Sequence, residues 1–557
     1  MGLSSAGMIM NAVQHSGGKA NVLWLPLGFF IGVQLADLFI TRSQQFYQAM
    51  WNRQMNYANM RELNHHRSSL GVAVIKSKRY DDLEDQIAEL PMGWGVRVAF
   101  AEQMLGGFSL FISFLVFGTA LLWYKPIYAA ILLVVAIPKT ISEFGIVSEL
   151  WGYFERMVPM HKLRFMLERV YKNERPFVQA QMFNQWKPLA GTIAENVQAV
   201  LGKFEEMRKK MTRRKTITGV ISIIGLSGVV THAIWLTVVS LGAIGTLSII
   251  MSSARTFQGN LNSLMMLMAE QWNNAKAVIL IERDFMGLRT IITTIDPIIP
   301  EFTHPHIRFD RVSFAYPNTD KEVLHEVSFD IEAGSKVAIV GKSGNGKSTI
   351  QHLLMRDYEP TRGAIYADDI NLQNIEPNVW NNFITSLTQD YAIMERKIGE
   401  EIASSRLGEP VDLFRVVKSA EFASFDEVVH EEDEGYERQV GSDFGGREFS
   451  GGEMQRFALA RVAYRGVPIL ILDEPDARLD PDSADKIMER IFALKGMTVI
   501  IITHHVSRAE HCDKVIVMGK GKIEEQGSPS ELLSKGGAYA RLCLSDKKRL
   551  GTQEAEA

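Results

Sequence analysis

Along the first half of the chain the hydrophobic residues come in runs long enough to cross a bilayer, and along the second half they come in short bursts between charged and glycine-containing stretches. A bilayer core of ~30 Å needs ~20 apolar residues at ~1.5 Å of helix rise per residue. Asn21 to Ile40 is the first run of that kind and Met104 to Tyr124 the second. After the break at Lys125-Pro126, the run Ile127 to Ile137 continues past Pro138 as a third, with a kink expected at that proline. From Thr216 to Ala254 no Asp, Glu, Lys or Arg occurs. That is nearly twice one span, so it reads as a hairpin turning near Ser240 to Gly245, its second arm continuing past Arg255. The pattern predicts five spans. Buried helices of soluble cores are also apolar all round, but they rarely reach such lengths.

The connections are lopsided. Thr41 to Pro91 holds Arg42, Arg53, Arg61, Arg67, Lys76, Lys78 and Arg79, and the connection from Glu149 to Lys215 ends in Arg208-Lys-Lys-Met-Thr-Arg-Arg-Lys215. The opposite connections carry only Lys125, so the positive-inside rule places both long loops, and the second half of the chain, in the cytoplasm. Parity then leaves Met1 outside, and the expectation is that a first helix is mostly missing, with Leu3 to Val13 as its last turns. Polar residues within the apolar runs are Asp37, Glu102, Gln103, Arg255, Gln258, Asn260 and Asn262. Ionisable groups at membrane depth face a bundle interior or a water-filled path, or else sit at the interface, and Arg255 is the better candidate for a pathway. Met265, Met266 and Met268 read as adaptable packing.

The second half alternates strand and helix patterns. Ser335 to Val340 is a buried strand that runs into Gly341-Lys-Ser343-Gly344-Asn345-Gly346-Lys347-Ser348-Thr349, with a helical pattern following to Met355. In such a loop the glycines let backbone N–H groups curl around phosphates, Lys347 reaches the β and γ phosphates, and the Ser348 hydroxyl ligates magnesium. Pro468 to Leu472 is another apolar strand, ending in Asp473-Glu474. There Asp473 would hold the magnesium shell and Glu474 polarise the attacking water. Val499 to Thr503 is a third, ending in His504-His505, where an imidazole can hydrogen-bond a γ-phosphate.

Charge adds little. A net charge of −4, from 60 basic and 64 acidic residues, argues against a nucleic-acid partner. The two cysteines, Cys512 and Cys543, lack metal-binding or redox spacing and read as reduced thiols. Met1 to Gln14 has no basic start and apolar core of a secretory leader.

These residues, with Phe449-Ser450-Gly451-Gly452-Glu453 between the loop and the Asp-Glu pair, resemble the ATP-binding cassette superfamily, and the resemblance covers nearly all of the second half. It implies that Ser450, Gly451 and Gly452 contact the γ-phosphate held by another subunit's phosphate loop. It further implies that Tyr316, in Phe314-Ala-Tyr-Pro317, stacks on adenine, that Gln389 senses magnesium and touches the membrane domain, that His504 is the switch histidine, and that Asp480 lies where subunits meet. The first half is similar to the exporter-type transmembrane domain of half-transporters, where six helices are usual and the long loops carry coupling helices; Lys78 to Leu90 and Asn173 to Phe183 are the candidates.

The expected architecture is therefore an all-α, exporter-type membrane bundle over residues 1–285, a linker over 286–304, an α/β P-loop NTPase cassette over 305–545 and a tail over 546–557. The resemblance implies ATP and Mg2+ as cofactors, a second half-transporter as homodimer or heterodimer partner, and the cytoplasmic membrane of a prokaryote. The expected function is ATP-driven export or flipping of a peptide, lipid or drug-like substrate. A nucleotide-gated channel or regulator, or an importer of related fold, shares the same motifs. Departures from the family pattern are Phe449 and Glu453 in the signature, Ala477-Arg478 before Leu479-Asp480, and His505.

Overall fold

The computed structural model describes residues 24–546 except 89, 91–92, 173, 240–243, 293, 295, 318, 320, 389–390 and 442–444. Gln389, the segment Leu3 to Val13 and most of the turn expected near Ser240 lie outside the described residues. The chain forms two compact units. One comprises the residues up to Ser69 together with Lys78–Arg289, the other Leu70–Ser77 together with everything from Thr290 onward.

The first unit is helical. Its long helices are α1 (Trp24–Ser69), α2 (Val96–Tyr124), α3 (Pro126–Lys172), α4 (Trp186–Val239) and α5 (Ile244–Ile279), with short helices at Lys78–Ala88 and Glu174–Met182. A helix of 54 residues, such as α4, is ~80 Å long at ~1.5 Å per residue, so it runs well beyond a ~30 Å hydrocarbon core as a polar rod. Three helical stretches among the described residues are long and apolar enough to cross a membrane: Gly93–Tyr124, Pro126–Leu150 and Lys187–Val239. α5, which carries Arg255, Gln258, Asn260 and Asn262, is not one of them. The third expected span does continue past Pro138, since α3 is helical on both sides of it.

Two devices hold these helices together. The first is close approach at small residues: a Cβ added at Gly225 on α4 would lie 2.7 Å from the Val135 methyls on α3, a separation only glycine permits. The second is amide hydrogen bonding between apolar faces. Gln258 on α5 donates to the Ser222 carbonyl at 3.0 Å, Asn260 to Ser113 Oγ at 2.7 Å, and Gln271 and Asn274 to Gln103 Oε1 at 2.7 and 3.0 Å. Around them Leu121, Leu132, Val229, Phe257 and Leu261 form an apolar core.

The second unit carries two sheets. An antiparallel sheet has the order β2-β1-β4-β5, with β1 Ile307–Ala315, β2 Glu322–Ile331, β4 Arg362–Ala367 and β5 Ile370–Asn371. A larger sheet has the order β10-β9-β3-β8-β7-β6, with β3 Lys336–Val340, β6 Ile384–Leu387, β7 Ile469–Asp473, β8 Thr498–Thr503, β9 Lys514–Gly519 and β10 Lys522–Gly527. Its strands β6, β7, β8, β3 and β9 are parallel, and β8 is buried at every residue, which is why it reads as one apolar run. Helices α6 (Lys347–Leu354), α7 (Gly451–Arg465) and α8 (Pro481–Phe492) follow the phosphate loop, the signature and β7.

Leu70–Ser77 corrects one expectation. The short helix Val72–Ile75 is apolar and places Ala73 in the core of the second unit, whereas Lys78–Ala88 belongs to the first. There the latter buries Tyr80, Leu83 and Ile87, with the Tyr80 ring 5.7 Å from that of Phe285.

Candidate functional site

β3 ends at Val340 and the chain turns sharply at Gly341, whose φ of 151° brings its Cα against the Met518 carbonyl. A Cβ there would stand 2.4 Å from that oxygen, so only glycine lets the loop begin beside β9. The loop then passes through Ser343, Gly344 and Asn345 and reaches Gly346, the left-handed residue that precedes α6. Asn345 braces it from outside, donating to the Met518 carbonyl at 2.8 Å. The result is a run of backbone N–H groups leading into a helix N-terminus, a ready cradle for phosphate.

A cleft of about 530 Å³ lies over this loop, lined by Ser343, Gly344, Gly346, Lys347, Ser348 and Thr349 on one side and Asp473, Glu474 and His504 on the other. The Lys347 ammonium is folded back on the Gly341 carbonyl at 2.7 Å. Burial holds its pKa below the usual lysine range, against the pull of Glu474 and Asp473. Asp473 is pushed the other way: burial first, then the neighbouring Glu474 charge, raise its carboxyl above the ordinary aspartate value. Ser348 Oγ stands 3.4 Å from Asp473 Oδ2. A hydroxyl and a carboxylate this close are hard oxygen donors of the kind magnesium takes, and a carboxylate raised by burial and a like charge is short of the positive charge such an ion carries. The residues present fit magnesium.

Glu474 occupies a left-handed backbone conformation, φ 50°, rare for a residue with a side chain. It is held there from both sides: its N–H donates to the Ile502 carbonyl at 2.9 Å and its own carbonyl accepts from Gln455 Nε2 at 3.0 Å. Its side chain meets His504, with Nδ1 2.8 Å from Oε1. The imidazole and the carboxylate at the ends of β8 and β7 therefore form one polar face opposite the phosphate loop.

The signature residues are elsewhere. Ser450 caps α7, and Glu453 completes a capping box: Ser450 Oγ accepts from the Glu453 N–H at 3.3 Å, and Glu453 Oε2 accepts from the Ser450 N–H at 2.7 Å. The acid at this position also binds Arg447 at 2.7 Å. Burial would raise the Glu453 carboxyl, but the Ser450 hydrogen bonds and the charges of Arg447 and Arg456 leave it below the usual glutamate value. Ser450 and Gly451 are exposed, and none of Ser450, Gly451 or Gly452 lines the cleft. Tyr316 also stands outside the lining; its hydroxyl is 3.0 Å from Thr349 Oγ1 and its ring packs edge-on against Tyr358. Asp480 caps α8, accepting from the Ser483 N–H at 3.0 Å.

Gln455 escaped the sequence reading. It is buried on α7, and besides holding the Glu474 carbonyl it accepts from the Arg478 N–H at 3.0 Å, so one amide ties signature helix, second carboxylate and following loop. Its only cue was a polar residue on a helix face shared with Ala458 and Leu459. Arg508 was equally silent; it pairs with Asp476 at 3.1 Å and with Asp485, fixing the loop after β7 to α8.

Residues 324–477 match the family model described as ABC transporter. Among curated proteins, the chain is 32% identical over 349 residues to an ATP-dependent lipid A-core flippase of Legionella pneumophila (strain Paris), covering 61% of this chain and 58% of that one. It is 36% identical over 241 residues to a flippase of the same name from Chromobacterium violaceum, covering 43% and 41%. The chain thus matches less than two thirds of the length of these relatives. A bacterial Atm1-family ABC exporter solved with ATP bound shares the fold, with a TM-score of 0.83 and 21% identity over 98% of this chain and 95% of that one.

Proposed function

We propose that the chain is an ATP-binding cassette transporter, with an exporter-type membrane half fused ahead of one cassette, that hydrolyses ATP to export or flip an amphiphilic substrate across a bacterial cytoplasmic membrane; the family match over the second half and the shared exporter fold support this reading. The relatives named as lipid A-core flippases make a lipid the favoured class over a peptide or drug. The single observation that carries the reading is that the phosphate loop and the signature lie in two separated places, as two halves of one ATP site would. The cleft brings together phosphate loop, Asp473, Glu474 and His504, while Ser450 and Gly451 face solvent, with Gly452 half-buried behind them, at a helix N-terminus outside it. A helix N-terminus with free N–H groups is an anion site, and here the anion comes from a second copy or a related half.

In that assembly Lys347 and the loop N–H groups hold the β and γ phosphates, and magnesium held by Ser348 and Asp473 would neutralise charge on them. Glu474 accepts a hydrogen bond from the water that attacks the γ-phosphorus, and His504 orients Glu474 through Nδ1 with its other nitrogen turned toward the phosphate. The new bond is from water oxygen to phosphorus and the bond broken is the β–γ bridge, leaving ADP and phosphate. Tyr316 supports the base and Gln389 reports magnesium occupancy to the membrane half. Closing the two cassettes on ATP swings the helices outward, and hydrolysis resets them. Asp480 and Arg478 lie at the closing surface. The positive loops support a cytoplasmic cassette.

The variant Glu474→Gln tests this in proteoliposomes with fluorescent lipid analogues. ATP binding should persist, while turnover and ATP-driven lipid movement fall at least ~100-fold, as for loss of a general base. Undiminished hydrolysis would overturn the assignment. Downhill flux without hydrolysis would favour a gated channel.

A further inference from the structure

Arg478 stands on the loop after β7, four residues past Glu474, and is one of the positions at which this chain departs from the cassette pattern. Its backbone is fixed to the N-terminal end of α7. The Arg478 N–H donates to Gln455 Oε1 at 3.0 Å, and a Cβ added at Gly452 would lie 3.0 Å from the Arg478 carbonyl. The side chain then runs past the neighbouring glycine, since a Cβ added at Gly451 would lie 3.7 Å from Arg478 Cδ. The residue is exposed, and its Cζ is 5.9 Å from the centroid of the Tyr391 ring. It does not line the cleft of its own chain.

Arg447 and Arg456 also flank this end of α7, but both are committed to acids, Arg447 to Glu432 and Glu453 and Arg456 to Glu427. Among the described residues Arg478 makes no ion pair. A helix N-terminus offers an anion only partial charges, whereas a guanidinium beside it adds a full one, on a planar fork of donors that fits two phosphate oxygens. We propose that Arg478 acts on the nucleotide of a second copy: as the signature of one chain meets the γ-phosphate held by the other's phosphate loop, Arg478 enters with it and bonds the γ-phosphate oxygens. The transferring phosphoryl group spreads negative charge over those oxygens, so a cation placed there stabilises the transition state more than it stabilises bound ATP. Arg478 moves no proton, and the bonds formed and broken are those of the hydrolysis above. This rests on the shared-site reading and adds to it a catalytic residue supplied in trans.

The test compares two mixed pairs of full-length chains, each isolated through two affinity tags and placed in proteoliposomes. In the first pair one chain carries Glu474→Gln and the other Arg478→Ala; in the second, one chain carries both substitutions and the other is wild type. Both pairs contain the same changes, so a folding defect lowers both alike. Acting in trans, Arg478 leaves the first pair one complete site and the second none, and the first should hydrolyse ATP at least ~10-fold faster, as for a charge on the transferring phosphoryl group. Where neither pair turns over, trapping of ADP with aluminium fluoride, which mimics that group, replaces the rate, with the same order expected. Equal values in the two pairs, or more from the second, overturn the proposal. In wild-type background, Arg478→Ala should lower the maximal rate at least ~10-fold with ATP affinity nearly unchanged, and Arg478→Lys should fall between; an unchanged rate contradicts it. Loss of ATP-dependent cross-linking between chains at Ser343→Cys and Ser450→Cys would overturn the shared-site reading and this proposal together. Cross-linking retained with equal pairs would overturn this proposal alone.

Discussion

Glu474 sits at φ 50°, held on one side by the Ile502 carbonyl and on the other by Gln455, which is not a residue of the cleft. The Gln455 hydrogen bond to the Glu474 carbonyl and the Glu474 N–H bond to Ile502 are each worth ~0.5–1.5 kcal/mol net, and together they offset a conformation that costs ~1–3 kcal/mol. Gln455→Leu should therefore leave ATP affinity near wild type and lower the maximal hydrolysis rate by about tenfold, since the carboxylate loses its fixed position over the γ-phosphate; nucleotide binding and steady-state rates, measured together, separate the two effects. Glu453 carries a different lesson. Its carboxyl is held below the ordinary glutamate value, so its contribution to stability is complete above the unfolded-state pKa and is lost as pH falls through the depressed folded value. Wild type should be more stable than Glu453→Gln at neutral pH, and the gap in unfolding midpoint should close on acidification; a constant gap would mean that the charge contributes nothing. Individual side chains were legible where chemistry demands a fixed residue at a fixed spacing, as at Lys347, Ser348, Asp473, Glu474 and His504. Gln455 and Arg508 were not, because their partners are carbonyls, amides and acids supplied by tertiary structure.

At the scale of elements, hydropathy marked where helices cross apolar surroundings but not where they end. The first apolar run stops at Ile40, yet α1 continues to Ser69 because nothing from Thr41 onward breaks the backbone hydrogen bonds and the polar residues are good helix formers in water. The same holds for α4, whose apolar part is only its second half. Nor could hydropathy reveal that Val72–Ile75, four apolar residues in a charged loop, bury themselves with the cassette while Lys78–Ala88 does not. Packing between the membrane helices gives a sharp prediction. Gly225→Leu forces a side chain into the Val135 methyls, overpacking worth ~1–3 kcal/mol, whereas Gly219→Leu, where nothing lies within 4 Å, meets open space. Thermal melts in detergent should show the first lowered by several degrees relative to the second; equal melts would mean that the helices are not in close contact at Gly225.

At the scale of the whole molecule, the order of the motifs in the second half carried the nucleotide chemistry, because strand, loop and helix must follow one another to build a phosphate cradle. The transported molecule left no comparable code, since residues that line a cavity between helices, such as Ser227 on α4 and Ser248 on α5, are brought together only by packing. The central proposal is that one ATP is held by two chains. Ser343 borders the cleft and Ser450 caps the exposed signature helix, while the native Cys512 and Cys543 are buried. The direct measurement is bismaleimide cross-linking of Ser343→Cys, Ser450→Cys in a Glu474→Gln background, with and without ATP and magnesium. A species of twice the chain mass that appears only with nucleotide is the predicted result; a cross-link formed only within single chains, or none that depends on ATP, would contradict a site shared between two copies.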